Sequence, residues 1–199
     1  MNPWGDAWHV RRSIDLFSQR AGSGLELRAT FLSRRAGLQG DSIERVNAIA
    51  WRALVDGVGC QLDAPRPTSN DFWDLVAPLS VSSLYLAKNQ TYRGQCSLIF
   101  DLRHAARPDQ LTSSEWGAFC ADLYVSHRAI VGVTQPDHVN VESLGNVVPH
   151  LHWHIIPRYI GDPRWGMPIW TTPLSEMLDI RLDAGERDAL LRQLRASLR

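Results

Sequence analysis

Seven consecutive residues alternate histidines with large apolar side chains: His150-Leu151-His152-Trp153-His154-Ile155-Ile156. Successive side chains of an extended strand point to opposite faces. The pattern therefore predicts a β-strand, here called the histidine strand, with three imidazoles on one face and Leu151, Trp153 and Ile155 in the core on the other. Three neighbouring rings whose protonated forms repel one another do not stabilise a sheet. The strand thus indicates a functional site.

Two kinds of chemistry suit such a face. Imidazole is a common metal ligand, and this spacing presents two ring nitrogens to one ion. An imidazole nitrogen also attacks phosphorus at neutral pH, while a neighbouring ring binds phosphate oxygens or protonates the leaving group. Because no carboxylate or cysteine follows the histidines at ligand spacing in the sequence, we favour nucleophilic catalysis and expect no metal and no other cofactor.

The segments around the histidine strand predict the rest of a sheet and two helices. Short apolar runs at 83–87 and 96–100 predict two strands joined by a hairpin-like loop, and the alternation over 139–143 predicts another. Thr112-Ser113-Ser114-Glu115 is a capping box at the start of a helix, and residues 183–198 have the pattern of an amphipathic helix. These elements predict an α+β domain built on an antiparallel sheet with helices on one side.

The first third of the chain has a weaker pattern. A capping signal begins a predicted helix over residues 42–57, and residues 25–32 predict a short strand or helix. The polar, turn-rich segment 64–70 separates this region from the rest. We therefore predict a largely helical region of unknown role over residues 1–75 and a catalytic domain over residues 76–199 that includes the C-terminal helix.

Composition and charge restrict the class of protein. The 199 residues are 44% hydrophobic and 21% charged, which excludes disordered, collagen-like and coiled-coil classes. The 21 basic and 21 acidic residues cancel, so we expect neither a stable nucleic-acid complex nor a membrane partner. Three widely spaced cysteines and the absence of a secretory or membrane-spanning pattern predict a cytoplasmic protein with free thiols.

The histidine strand matches at all seven positions the H-φ-H-φ-H-φ-φ motif of the histidine triad (HIT) family, where φ is apolar. The flanking Leu144–Pro149 and Pro157-Arg158 also resemble HIT proteins, particularly bacterial HIT-family nucleotide hydrolases, and a looser similarity runs from Ser82 to Tyr159. The resemblance implies a HIT-like antiparallel sheet with the capped helix at its centre and a small-molecule nucleotide as substrate. Since family members often form two-fold dimers, it is also compatible with a homodimer.

The resemblance implies hydrolysis of a phosphoanhydride or phosphoramidate bond in two steps. His152 attacks the α-phosphorus to form a covalent nucleotidyl-histidine, which water then hydrolyses, and His154 binds phosphate oxygens and assists the leaving group. His150 contributes its main-chain carbonyl, which accepts from the second ring nitrogen of the nucleophile, and an orienting side chain. The substrate classes implied are dinucleoside polyphosphates and nucleoside phosphoramidates.

Four polar residues are candidates for contacting the substrate. Asn140 and Asn146 resemble family residues that bind phosphate, although strand-edge and turn hydrogen bonds also fit them. Asn89 lies in a loop that contacts the nucleotide in relatives, or it caps that loop. Gln95 stands where many relatives have a histidine, and it can donate a hydrogen bond but carries no charge.

Several other residues have simpler interpretations. We interpret His104 as a solvated loop residue and Arg158 as a partner in a surface ion pair. Trp165 and Trp170 belong to an aromatic loop that could cover a base, with core packing as the favoured role.

Two alternative functions are left open. Transferase and phosphorylase branches of the family carry glutamine at the third motif position, so His154 favours hydrolysis over a nucleotidyltransferase or phosphorylase. A non-catalytic nucleotide-binding HIT protein is the second alternative, because the region over residues 1–75 is unfamiliar and Gln95 departs from the usual histidine.

Overall fold

The computed structural model describes residues 50–172 and 176–199. Contacts divide the chain into a unit over residues 1–53 and a compact unit over residues 54–199, and the fold below is that of the second unit. The strand or helix predicted at residues 25–32 lies outside the described residues. Of the helix predicted over 42–57, the described part is helical at residues 50–55 and ends in turns.

A five-stranded antiparallel sheet forms the centre of this unit. Its strands are β1 (Trp73–Pro78), β2 (Ser82–Ala87), β3 (Cys96–Phe100), β4 (His138–Glu142) and β5 (His152–Arg158). They lie in the order β1-β2-β3-β5-β4, and each neighbouring pair is antiparallel. The predicted α+β class, the β2–β3 hairpin and the two later strands are therefore confirmed.

Two helices accompany the sheet: α1 (Ser113–Thr134), between β3 and β4, and α2 (Ala184–Ser197), near the C-terminus. The predicted capping box begins α1, since Thr112 Oγ1 accepts from Glu115 N at 3.2 Å and Glu115 Oε2 accepts from Thr112 N at 2.8 Å. The predicted C-terminal helix is also confirmed, and Asp183 caps it. None of the helices in the described ranges is long and apolar enough to cross a bilayer.

One face of the sheet packs against both helices. Its side chains are apolar and buried, and so are the helix residues that meet them, which explains why these segments alternate or repeat at helical spacing. The buried cluster contains Leu84, Leu86, Leu98, Phe100 and Ile155 from the strands, Phe119 and Ile130 from α1, and Leu190, Leu191 and Leu194 from α2. The opposite face carries polar side chains from β3, β4 and β5.

The sequence pattern did not predict β1. This strand includes Asp74 as its second residue, and a charge there interrupts the apolar run; the carboxylate is buried and accepts from Lys88 Nζ at 2.7 Å. The boundary predicted between residues 75 and 76 falls inside β1, and the compact unit begins earlier, at Leu54. The segment before β1 packs on the face of the sheet opposite the helices, where Leu62 forms a small buried cluster with Tyr85 and Ile99.

Candidate functional site

Strand β5 brings two of the three motif histidines into contact. His152 and His154 are paired with Ile99 and Ser97 of β3, so both rings lie on the face of the sheet opposite the helices, here called the histidine face. Their Nε2 atoms are 3.1 Å apart, and the two ring planes are nearly perpendicular at 86°.

His150 belongs to a different cluster. The strand begins at His152, because the main chain at Leu151 bonds instead to Ala105 and Phe100. The His150 ring is 1% exposed, donates from Nε2 to Phe100 O at 2.7 Å and faces Cys60 and Asp63. Thus two rings, and not three, form the predicted shared surface.

The main-chain carbonyl of His150 fixes the tautomer of His152. His152 Nδ1 lies 2.5 Å from His150 O, and a carbonyl oxygen can only accept, so Nδ1 carries the proton. Nε2 of His152 therefore holds a lone pair, provided that the ring is neutral. Burial lowers the pKa of His152, although the contact with His150 O opposes this by favouring the protonated ring.

His154 supplies a hydrogen-bond donor next to that lone pair. Burial, and secondarily the neighbouring His152, lower the pKa of His154 to about 3, so its ring is also neutral near pH 7. The Nε2 contact between the rings then requires His154 Nε2–H to donate to His152 Nε2. The pair presents one nucleophilic nitrogen and one N–H donor, which is what attack on a phosphate with assistance to its oxygens requires.

Two residues that sequence patterns did not single out for catalysis lie beside His154. Glu142 of β4 is the strand partner of His154, and the Trp170 ring lies edge-on to the His154 ring with centroids 4.9 Å apart. Trp170 Nε1 donates to Glu142 Oε2. The alternation of β4 was the available signal, since it places Glu142 on the same face as the histidines.

Arg158 holds the segment that follows β5 and also fixes Asn140. Its guanidinium is buried and bonds to both carboxylate oxygens of Asp162 at 2.8 Å, to Met167 O at 2.9 Å and to Asn140 Oδ1 at 3.0 Å. Arg158 is therefore an internal anchor and not the surface ion-pair partner expected. Asn140 lies on the histidine face, with its amide oxygen occupied and its Nδ2 left as the group available to a ligand.

The other candidate binding residues lie in three different settings. Asn146 is exposed in the loop between β4 and β5. Gln95 directly precedes β3 and is half-buried. Asn89 caps its own loop, because Oδ1 accepts from Thr91 N at 2.9 Å and Nδ2 donates to Leu178 O at 2.8 Å. The Asn89 side chain thus stabilises its own loop and joins it to the segment around Leu178.

Cys60, Asp63, His104 and His150 form a second cluster, here called the four-residue cluster, whose possible ligand atoms all lie within 4.8 Å of one another. Asp63 Oδ1 is 3.1 Å from Nδ1 of both His104 and His150, and Cys60 Sγ is 3.5 Å from His150 Nδ1. His104 is therefore half-buried in a cluster and is not the solvated loop residue expected.

The protons of this cluster are arranged for a cation. His104 Nε2 lies 3.1 Å from Val55 O and His150 Nε2 lies 2.7 Å from Phe100 O, so each Nε2 is the protonated nitrogen. A neutral ring then turns its Nδ1 lone pair toward the Asp63 carboxylate, and burial lowers the pKa of His150, which favours the neutral form. When both rings are neutral, the Cys60 thiol supplies one proton to three acceptors, which are the Asp63 carboxylate and the two Nδ1 atoms. A cation between them would satisfy all four groups.

The donor set suits zinc. One sulfur, one carboxylate oxygen and two imidazole nitrogens match the ligands that zinc accepts, whereas magnesium and calcium favour oxygen. Ligating histidines also usually donate their other N–H to a carbonyl, as both rings do here. A metal was not expected from sequence because Cys60-x-x-Asp63 lies far from the motif; its ligand-like spacing was the signal available.

Comparisons with known proteins find similarity to one family. A family model described as the HIT domain matches residues 84–161. Among solved structures, a histidine triad protein from Bradyrhizobium japonicum is 27% identical with a TM-score of 0.58, and the alignment covers 64% of this chain and 91% of that chain. No curated protein matches the chain in sequence.

Two further bacterial structures share the fold. A histidine triad (HIT) protein from Sinorhizobium meliloti is 18% identical with a TM-score of 0.57, covering 63% of this chain and 89% of that one. A histidine triad protein from Marinobacter aquaeolei is 21% identical with a TM-score of 0.57, covering 63% and 88%.

Proposed function

We propose that this chain, which belongs to the histidine triad (HIT) family through its domain over residues 84–161, is a nucleotide phosphohydrolase. Its nucleophile in this proposal is His152. HIT domains typically bind or hydrolyse nucleotides. The observation that supports catalysis is the contact of His152 Nδ1 with His150 O at 2.5 Å, which leaves Nε2 as a lone pair beside the His154 donor. The bond cleaved is a phosphoanhydride or phosphoramidate.

The reaction has two balanced steps. In the first, the His152 Nε2 lone pair forms a bond to the α-phosphorus, and the bond from phosphorus to the leaving oxygen or nitrogen breaks. The leaving group departs with that electron pair and takes a proton from solvent. In the second, water attacks phosphorus and loses a proton to solvent, the P–N bond breaks with its electron pair returning to Nε2, and the nucleoside monophosphate departs. The N–H of His154, which donates to His152 in the free protein, is then available to a phosphate oxygen or to the leaving atom.

Mass spectrometry tests the covalent step. Protein mixed with a panel of adenosine and guanosine conjugates and quenched within the first turnovers should carry a nucleotidyl adduct on the peptide that contains residues 150–156. An adduct on another peptide would contradict the assignment. Transfer of the nucleotide to an added acceptor would favour the transferase, and tight binding without turnover would favour the non-catalytic nucleotide-binding protein.

Replacement of His154 should affect substrates according to their leaving group. His154→Ala removes the N–H that assists departure, so we expect a loss in kcat roughly ten- to a hundredfold larger for a poor leaving group than for a good one. Single-turnover rates with a graded series of leaving groups would measure it, with His127→Ala on α1 as the control histidine. An equal loss across the series would remove the assisting role.

We also propose that the four-residue cluster holds one zinc ion. A thiolate and a carboxylate would balance its two positive charges, and the two imidazoles would complete four ligands. The ion would attach the segment around residues 55–63 to His150, whose carbonyl orients the nucleophile. Its contribution there is structural, and no step of the hydrolysis needs it.

Metal analysis tests the zinc proposal. Protein purified without chelators should contain about one zinc per chain, and Cys60→Ser, Asp63→Asn or His104→Asn should each lower that content. Cys120→Ser is the matched control because Cys120 lies on α1, outside the four-residue cluster. A zinc content that is equally low in the wild type and in all variants would refute the site.

We also propose that Asn140, Asn146 and Gln95 contact the nucleotide, that the chain forms a homodimer and that it acts in the cytoplasm. Light scattering of the purified chain would test the dimer.

A further inference from the structure

A strap of residues 162–172 folds back over the end of the histidine face. Arg158 fixes its first half through Asp162, Met167 O and Arg164 O. Ile169 is buried against Tyr92 and Ile156, which fixes its second half. The strap thereby positions Trp170 against the His154 ring. The contacts of Arg158 and of Ile169 fix the strap before Trp170.

The strap also fixes a negative charge beside His154. Glu142 is the strand partner of His154, and side chains on directly paired residues lie about 5 Å apart at Cβ. Its carboxylate accepts from Trp170 Nε1, and the Trp170 ring in turn contacts His154. The Trp170 indole holds the Glu142 carboxylate in place but supplies no opposing charge.

The arginines near this face direct their hydrogen bonds to other groups, although the charge of Arg158 also acts on Glu142 at longer range. Arg158 pairs with Asp162 at 2.8 Å, and Arg66 pairs with Asp101. The Arg164 guanidinium bonds to Thr172 Oγ1 at 2.7 Å and to Thr171 O at 3.0 Å, both on the strap itself. Within the described part of the chain, none of these three guanidinium groups hydrogen-bonds to His152, His154 or Glu142. Direct cationic contacts are what a polyphosphate group needs in order to bind well.

We propose that Glu142, held by Trp170, is a specificity-determining residue that excludes leaving groups bearing phosphates and admits neutral or positively charged ones. The inference rests on the proposed function, in which the leaving group departs on the His154 side. A nucleoside phosphoramidate with an amine leaving group fits this side, whereas a dinucleoside polyphosphate would bring a nucleoside phosphate with two or more negative charges next to Glu142.

The test uses Glu142→Gln, which removes the charge but keeps a side-chain oxygen to accept from Trp170. Steady-state kcat/KM is measured for an adenosine 5′-phosphoramidate with an uncharged alkylamine leaving group and for diadenosine triphosphate. We expect the wild type to prefer the phosphoramidate, and the variant to gain about tenfold on the triphosphate, since repulsion between two unit charges about 4 Å apart near a protein surface exceeds the roughly 1.4 kcal/mol that corresponds to tenfold. The phosphoramidate is the reference substrate, so the measured quantity is the ratio of the two kcat/KM values.

Two controls separate charge from architecture. Glu186→Gln makes the same chemical change at an exposed position of α2 and should leave kcat/KM for both substrates unchanged. Trp170→Phe keeps an aromatic ring but removes the hydrogen-bond donor to Glu142. If Glu142 served only to position Trp170, each of the variants Trp170→Phe and Glu142→Gln would lose activity equally on the two substrates. An unchanged substrate ratio in Glu142→Gln, or a wild type that prefers the triphosphate, would overturn the inference.

Failure of this inference is distinguishable from failure of the proposed function. If the wild type hydrolyses neither substrate and forms no adduct, the hydrolase proposal fails, and calorimetry then tests Glu142 alone. In that case Glu142→Gln should tighten binding of adenosine diphosphate roughly tenfold relative to adenosine monophosphate. Equal effects on the two nucleotides would show that Glu142 does not select by charge.

Discussion

His152→Asn should abolish turnover, lowering kcat by about three orders of magnitude or more, while the protein stays folded and still binds nucleotide. Asparagine places an amide near the position of Nδ1, so it can still donate to His150 O, but it has no nucleophilic nitrogen near the position of Nε2. The loss should therefore lie in the chemical step, with affinity much less affected.

Three measurements on purified variants check this expectation. Steady-state kcat reports the chemistry, calorimetry with a nucleoside monophosphate reports binding, and circular dichroism reports the fold. His127→Asn, the same substitution on α1, is the matched control and should have near-wild-type kcat. A rate in His152→Asn within tenfold of the wild type would remove His152 as the nucleophile, because mechanistically essential nucleophiles cost far more than that.

The parts of the fold that sequence could predict are those with a local physical signal. The capping box of Thr112 and Glu115 needs only residues three positions apart, and the structure contains both of its hydrogen bonds. The alternation of the histidine strand likewise identified β5 and placed His152 and His154 on one face. Such signals depend on the period of a helix or strand and not on distant partners.

The parts that sequence could not predict depend on contacts between distant segments. The position of the His150 ring is set by Phe100 O and by Asp63, and the four-residue cluster joins positions up to ninety residues apart. Trp170 resembled a core aromatic because nothing adjacent in sequence relates it to Glu142. Strand β1 was missed because Asp74 interrupts its apolar pattern. The compensating charge comes from Lys88, which lies after β2.

Removal of zinc should lower the melting temperature of the wild type substantially. A ligand at about a thousandfold over its Kd stabilises the folded state by roughly 4 kcal/mol, and about 1 kcal/mol shifts the Tm of a domain of this size by roughly 2–4 °C. We therefore expect a fall of about 8–16 °C after chelation, reversed by added zinc. The large effect follows because, without the ion, nothing joins the Cys60, Asp63, His104 and His150 side chains at one point.

The variant Asp63→Asn separates the metal from the packing of the four-residue cluster. Its amide Nδ2 can donate to an imidazole Nδ1, so the variant should satisfy without zinc the contacts that need a cation in the wild type. Its Tm should then differ little with or without chelator, measured by calorimetry, whereas Cys120→Ser should respond to chelation as the wild type does. If chelation left the wild-type Tm unchanged, the ion would not hold residues 55–63 against His150, and the orientation of His152 would rest on the main chain alone.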